Sequence, residues 1–295
     1  MTALALARTQ VGIGLELIRP RMAAMIALMV VLGAAMAGTG QWVRSLEAAL
    51  YVTLVTGAAS ILNQVLERDT DALMPRTQHR PLVTGRIEPS TCIFLALLFG
   101  VLGTAGLALQ FNLLSAFLTL ATLIAYVAIY TPLKRVSTFN TVVGAVPGAA
   151  PPLLGYVALA GDVGPWAWCL FAVLFVWQFP HFMAIAWLYR EDYAKGGHKM
   201  LTSIPNAEGL AGRQAVIYAI AAIPISLLPL TTGLAGPVYA VGVSILGVAY
   251  LVCSVGFARH EDRRSARRLL FVSLLYLPLW ACLVLADPLP SLMLS

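Results

Sequence analysis

Residues 89–133 read PSTCIFLALLFGVLGTAGLALQFNLLSAFLTLATLIAYVAIYTPL, and not one of them is charged. A helix needs roughly 20 apolar residues to cross a bilayer. The stretch is long enough for two such helices, 91–110 and 112–131, with the break at Gln110-Phe111. Working outward, similar apolar runs fall at 22–41, 45–66, 139–160, 165–189, 213–233, 236–258 and 269–287, which makes nine spans. Of the 295 residues, 60% are hydrophobic and 11% charged, against about 25% charged in a soluble domain. That excludes a soluble enzyme, a disordered chain and a nucleic-acid module, so no nucleic-acid partner is expected. The fold class expected is an all-α membrane protein, a bundle of nine transmembrane helices. Segments 1–21 and 288–295 flank a single domain over 22–287.

The basic residues test this threading. Arg8, Arg19 and Arg21 precede the first span. Arg68, Arg76, Arg80 and Arg86 fill the second loop, and Lys134 and Arg135 the fourth. Arg190, Lys195, Lys199 and Arg213 belong to the sixth, and Arg259, Arg263, Arg264, Arg267 and Arg268 to the eighth. Eighteen of the 19 Lys and Arg thus share one side, with Arg44 alone on the other. By the positive-inside rule that side is cytoplasmic, which puts the N-terminus inside and the C-terminus outside. The N-terminus lacks the compact apolar run and cleavage site of a signal peptide, and a bacterial inner membrane is the simplest location. The net charge of +6 is then loop charge at an anionic lipid surface. The four cysteines, Cys92, Cys169, Cys253 and Cys282, lie in apolar runs without a CxxC and read as buried small hydrophobes.

The second loop carries the first polar constellation, Asn63-Gln-Val-Leu-Glu67-Arg-Asp69-Thr-Asp71-Ala-Leu-Met-Pro-Arg76-Thr77-Gln-His-Arg80-Pro-Leu82. Asn63, Glu67 and Asp71 stand at i, i+4 and i+8. On a helix continuing from the span they form one stripe. Three oxygen-bearing side chains on a stripe suit Mg²⁺, which shares its coordination with substrate phosphates. Arg76 and Arg80 follow, and guanidinium groups grip phosphate bidentately. An Asn in the last turns of an apolar span is costly unless it functions. Asp69 lies about 200° round the helix from Glu67, while Arg68 and Glu88 read as solvated charge.

The second constellation runs from Trp177-Gln-Phe-Pro-His181-Phe182 to Tyr189-Arg-Glu-Asp192-Tyr193-Ala-Lys195-Gly196-Gly197-His198. Eleven helical steps separate His181 from Asp192, which returns to nearly the same face about 16 Å further along. Asp192 would then lie at the surface facing the first carboxylates, with His181 deeper among aromatics, as a ligand or as a packed core residue. Phe171, Phe175, Phe182 and Tyr189 share a stripe that packs or walls a lipid chain. Gly196-Gly197 either admits a ligand to the backbone or only turns the chain. Lys134 and Arg135 are membrane anchors or diphosphate ligands. Three prolines and three glycines in 140–156 predict a broken fifth span.

These residues resemble the UbiA superfamily of intramembrane prenyltransferases over about residues 20–287. The motif carried is Asn63-xxx-Glu67-xxx-Asp71 followed by Arg76-Thr77-xx-Arg80-Pro81-Leu82. Within the superfamily, YTPLKR at 130–135, NTVVGAVPGAAPPLLGY at 140–156, WQFPHF at 177–182 and REDYAKGG at 190–197 resemble the protoheme IX farnesyltransferase (heme O synthase) subfamily. The wider superfamily carries a second DxxxD motif, of which only Asp192 is clearly present here. The resemblance implies a central cavity opening to the cytoplasmic side. It implies farnesyl diphosphate bound through Mg²⁺ to the catalytic and metal-ligating Asn63, Glu67, Asp71 and Asp192. Arg76, Arg80, Lys134 (also catalytic), Arg135 and Lys195 would bind the diphosphate, and His181 would contact heme B, a substrate rather than a cofactor. Other partners implied are membrane lipid and heme A synthase or terminal oxidase assembly factors. The alternatives are another UbiA-type aromatic prenyltransferase of quinone biosynthesis and a secondary transporter.

Overall fold

The computed structural model describes residues 3–288, with side chains from Val11 onward. The tail 288–295, all but its first residue, and the side chain of Arg8 therefore lie outside the described residues. In chain order the helices are α1 (Ala3–Ile18), α2 (Pro20–Met36), α3 (Trp42–Leu66), α4 (Arg68–Asp71), α5 (Pro89–Gln110) and α6 (Leu113–Ile124). A π-helical turn, Ala125–Tyr130, leads into α7 (Thr131–Leu133). There follow α8 (Asn140–Ala160), α9 (Pro165–Leu188), α10 (Arg190–Lys195), α11 (Leu210–Ser226), α12 (Leu228–Thr231), α13 (Pro237–His260) and α14 (Arg263–Ala286). Among the described residues there is no strand, only an isolated bridge between Ala235 and Pro288.

The all-helical membrane bundle expected from the sequence is borne out. Among the described residues eight spans are long and apolar enough to cross a bilayer, with α6, the π turn and α7 counted as one and α11 and α12 as another. The ninth is α2 taken together with Val11–Ile18 of α1, bent by 55° at Arg19. The sequence reading set 1–21 apart as a cytoplasmic segment before the first span, so the helix at Val11–Ile18 was not expected to extend that span. The apolar side chains face outward on the peripheral helices: Phe94, Leu97 and Val101 on α5, and Val241, Ile245, Val248 and Val252 on α13, are exposed. An inside-out pattern of this kind is what a lipid solvent selects. Of the four cysteines, Cys92 and Cys169 are buried, Cys253 is half-buried and Cys282 is exposed on the apolar surface.

The centre of the bundle is α8, and here the structure corrects the sequence. The expected break is absent: α8 runs unbroken with Pro147, Pro151 and Pro152 inside it. Each proline removes a backbone hydrogen bond, but neighbours clamp the helix. Its backbone lies directly against that of α2: a Cβ on Gly155 would strike the Val30 carbonyl, and one on Gly33 the Pro152 carbonyl. From α9, Gln178 Nε2 donates to the Ala145 carbonyl at 2.7 Å. At the far end Asn112 Nδ2 donates to the carbonyls of Val157 and Ala158. These side-chain bonds and the close backbone packing brace the helix on either side of its prolines.

Candidate active site

The expected stripe of Asn63, Glu67 and Asp71 forms, although α3 ends at Leu66. Glu67 leaves helical geometry at φ −98°, ψ 7°. Even so, its N–H donates to the Asn63 carbonyl at 2.9 Å, and the Asp71 N–H donates to the Glu67 carbonyl at 2.7 Å. The i to i+4 ladder is continuous across the joint, so all three side chains share a face and all three are buried. Asp69, Arg68 and Glu88 point to the exposed side.

Both carboxylates meet a cation. Lys134 Nζ lies 2.8 Å from Glu67 Oε1, and Arg80 pairs with Asp71 Oδ2. Burial opposes ionisation of Glu67, but the Lys134 ammonium outweighs it, and this carboxyl sits below the usual range. Lys134 is held above its ordinary value: burial opposes the charge, while Tyr130 and Glu67 more than offset that. Asp71 is pushed up by burial, which Arg80 only partly counters. Its Oδ1 has no hydrogen-bond partner. Arg80 is lowered by burial and by the neighbouring charge of Arg19.

These groups line a chamber of about 150 Å³ together with Arg19, Met74, Arg76, Tyr126, Tyr130, Tyr193, His198 and Met200. The Arg76 guanidinium lies over the rings of Tyr189 at 5.1 Å and Tyr193 at 5.7 Å. Arg135 is exposed beside the chamber, its Nη2 3.4 Å from the Leu66 carbonyl. Asp192 is half-buried and Lys195 exposed, and neither lines the chamber. The joint at Tyr189 is bridged like that at Glu67, Tyr189 N–H donating to the Ile185 carbonyl and Tyr193 N–H to the Tyr189 carbonyl at 3.0 Å each, but it is Tyr193 that takes the chamber face, and Asp192, one helical step of about 100° away, misses it. Tyr193 and His198 face the chamber instead. Gly197 turns the chain at φ +68°, and a Cβ on Gly196 would crowd Met74 and His198.

A second compartment, of about 370 Å³, lies deeper in the bundle. It is lined by α2, α3 and α6, mostly through apolar side chains but also through Thr56, Ser60, Thr119 and Thr122, by Gly144, Pro147, Gly148 and Pro151 of α8, and by Trp177, Gln178, His181 and Phe182 of α9. His181 Nδ1 shares a 2.7 Å hydrogen bond with Ser273 Oγ, and its ring stacks on Trp177 at 5.1 Å. Glycine at 144 and 148 leaves room for the Tyr130 ring and the Gln178 amide, which an added Cβ would have to displace.

Tyr126 and Tyr130 line both compartments. Their ring centroids are 5.2 Å apart, and both sit on the π turn. Thr131 Oγ1 donates to the Tyr126 carbonyl at 2.9 Å and accepts from Asn63 Nδ2 at 3.2 Å. The widened turn is therefore tied to the first residue of the stripe, and π turns of this kind recur at functional sites.

Among the described residues no three His, Cys, Asp or Glu side chains gather as a metal cage. The donor set nevertheless fits a hard cation shared with phosphate. Two carboxylates and an amide converge, one carboxylate oxygen is buried without a partner, and Mg²⁺ ordinarily takes one or two carboxylates and completes its shell from phosphate and water.

Residues 24–275 match the UbiA prenyltransferase family model. A protoheme IX farnesyltransferase of Solibacter usitatus (strain Ellin6076) is 43% identical over 245 residues, covering 83% of this chain and 84% of that one. Among solved structures, a digeranylgeranylglyceryl phosphate synthase superposes with a TM-score of 0.78 at 15% identity, covering 94% of this chain and 97% of that one. A UbiA homolog from Archaeoglobus fulgidus bound to DMAPP and Mg²⁺ superposes at 0.63 with 16% identity, covering 92% and 98%. With the helical bundle, the carboxylate stripe and the paired compartments, these matches establish that the chain belongs to the UbiA prenyltransferase family.

Proposed function

We infer that this protein transfers the farnesyl group of farnesyl diphosphate to the 2-vinyl group of heme B, with addition of water, to give heme O. The observation that carries the reading is the junction of a cationic, carboxylate-bearing chamber with an apolar cavity through one pair of tyrosines. The name borne by the Solibacter relative supports the choice of substrates. Residues 22–287 act as one domain in a bacterial inner membrane, with the charged chamber on the cytoplasmic side.

Asn63, Glu67 and Asp71 would hold Mg²⁺, which supplies charge for the departing diphosphate. Arg76, Arg80 and Lys134 face the same phosphates, with Arg135 and Lys195 on the exposed rim. The C–O bond to diphosphate breaks and its electron pair leaves with the phosphate oxygen. Preorganised cations stabilise that developing charge most where water is excluded. The apolar cavity receives the farnesyl chain, and Tyr126 and Tyr130 offer their rings to the allylic cation between the compartments. The vinyl π pair forms the new C–C bond. Water then adds to the cation beside the porphyrin and loses a proton, leaving a hydroxyethylfarnesyl group. His181, hydrogen-bonded to Ser273, would contact the heme. Asp192, off the chamber lining, is a candidate fourth ligand that turnover of Asp192→Ala decides.

Purified protein given heme B, farnesyl diphosphate and Mg²⁺ should yield a product with the mass of heme O. A prenylated 4-hydroxybenzoate in its place would shift the assignment to an aromatic prenyltransferase of quinone biosynthesis. Substrate uptake into proteoliposomes unaffected by Glu67→Ala would shift it to transport.

A further inference from the structure

We propose that Arg19, the hinge residue between α1 and α2, is a diphosphate-binding arginine. The proposal deepens the reading above and rests on its diphosphate substrate.

Four observations converge. First, Arg19 has a left-handed backbone at φ 52°, ψ 72°. A non-glycine residue there costs about 1–3 kcal/mol, and such strain gathers at working sites. Glycine would make the same turn without that steric strain, yet the position carries a guanidinium.

Second, the strain is not explained by helix capping. The Arg19 side chain makes no cap hydrogen bond to α2, and the N–H groups of Met22 and Ala23 are served by its backbone carbonyl instead. Among the described ion pairs it has no carboxylate partner.

Third, the side chain points into the charged chamber. Nη2 reaches Asn63 Oδ1 at a long 3.4 Å, and the residue lines the same wall as Arg76, Arg80 and Lys134.

Fourth, the charges there do not balance. Arg80 and Lys134 are taken by Asp71 and Glu67, so Arg19 and Arg76 converge on the chamber with no carboxylate of their own. Arg19 is near enough to Arg80 for its charge to be felt there. Like charges gathered in a half-buried wall call for a multivalent anion, and guanidinium pairs with phosphate oxygens through two parallel bonds. Arg76 reaches the chamber from the side of Tyr189 and Tyr193, whereas Arg19 reaches it from the hinge beside Asn63. The two would grip the diphosphate from different walls.

The test uses the full-length protein in phosphatidylcholine nanodiscs, with farnesyl thiolodiphosphate and Mg²⁺ as an unreactive probe followed by calorimetry. Heme B binding is read in parallel from its absorption spectrum. Arg19→Gly relieves the backbone strain and removes the guanidinium together. It should unfold at the same or a higher temperature, bind the probe about tenfold to a hundredfold more weakly, and leave the heme spectrum unchanged. Arg19→Lys should recover part of the affinity. Probe affinity within twofold of the parent in Arg19→Gly overturns the proposal. So does an affinity loss that tracks a fall in unfolding temperature and that Arg19→Lys does not reverse, because that is the mark of a structural hinge. A parent protein that binds no probe overturns the diphosphate reading itself, a failure separate from that of Arg19.

Discussion

The two compartments solve opposite problems within one bundle. The outer chamber concentrates charge: two carboxylates, each paired, beside four cations. The inner cavity carries no carboxylate, Lys or Arg in its lining, and of its polar groups His181 and Gln178 are spent on Ser273 and the Ala145 carbonyl. Charge in a low-dielectric wall is costly unless matched, so the outer chamber is built to trade partners with an ionic ligand. The inner cavity is built to hold a shape. One protein can thus bind a phosphate and a hydrocarbon without either environment spoiling the other.

The most damaging way to break this division is Asp71→Asn. It strands Arg80 and removes half of the carboxylate charge, and kcat/KM should fall about a thousandfold while the heme B spectrum stays as in the parent. Loss of heme binding instead would show that the compartments are not separate. Tyr130→Ala tests the partition itself. Opening it admits water to the site of ionisation, and farnesol should rise relative to farnesylated heme by about tenfold, measured by mass spectrometry; an unchanged ratio would show that the ring is no barrier. His181→Ala addresses the inner cavity alone. Heme B affinity should drop by about fivefold through loss of the stacked ring, with Mg²⁺-dependent binding of the diphosphate probe within twofold.

The smallest effect concerns pH. Burial pushes His198 down to about 4, with the charges of Lys134, Arg135 and Arg76 adding to it against the pull of Glu67. Below its ordinary 6.5 the unfolded imidazole binds a proton that the folded one refuses, so stability falls as pH drops from 6.5 toward 4. In His198→Asn that slope should flatten by about 1–2 kcal/mol, discounted for partial solvation, as read from unfolding midpoints at pH 6.5 and 4.5.

Where a residue's position depended on local spacing, the sequence was a sound guide. The nine apolar runs and the Asn63, Glu67, Asp71 stripe needed only periodicity, and the stripe survived a helix joint because two backbone hydrogen bonds bridge it. Arg76 and Arg80 followed from their nearness to that stripe, whereas Lys134 came from the family resemblance alone. What escaped depended on more than periodicity. Asp192, expected to face the stripe, lies one step off the chamber face that Tyr193 occupies. The π turn moved Tyr126 and Tyr130 to the site, although in sequence they look like ordinary members of an apolar span. Arg19 counted as one more positive-inside charge until a backbone angle set it apart. The prolines of α8 misled in the other direction, since tertiary clamping kept straight what local chemistry would bend.

The clamping of α8 has an evolutionary reading. A helix whose course is fixed by its neighbours rather than by its own hydrogen bonds has no tolerance for independent change: the small residues at 33 and 155 must stay small together. Drift should therefore concentrate on the lipid-facing rows of α5 and α13, where one greasy side chain serves as well as another. The central helix acts as the die against which the rest of the bundle is cast.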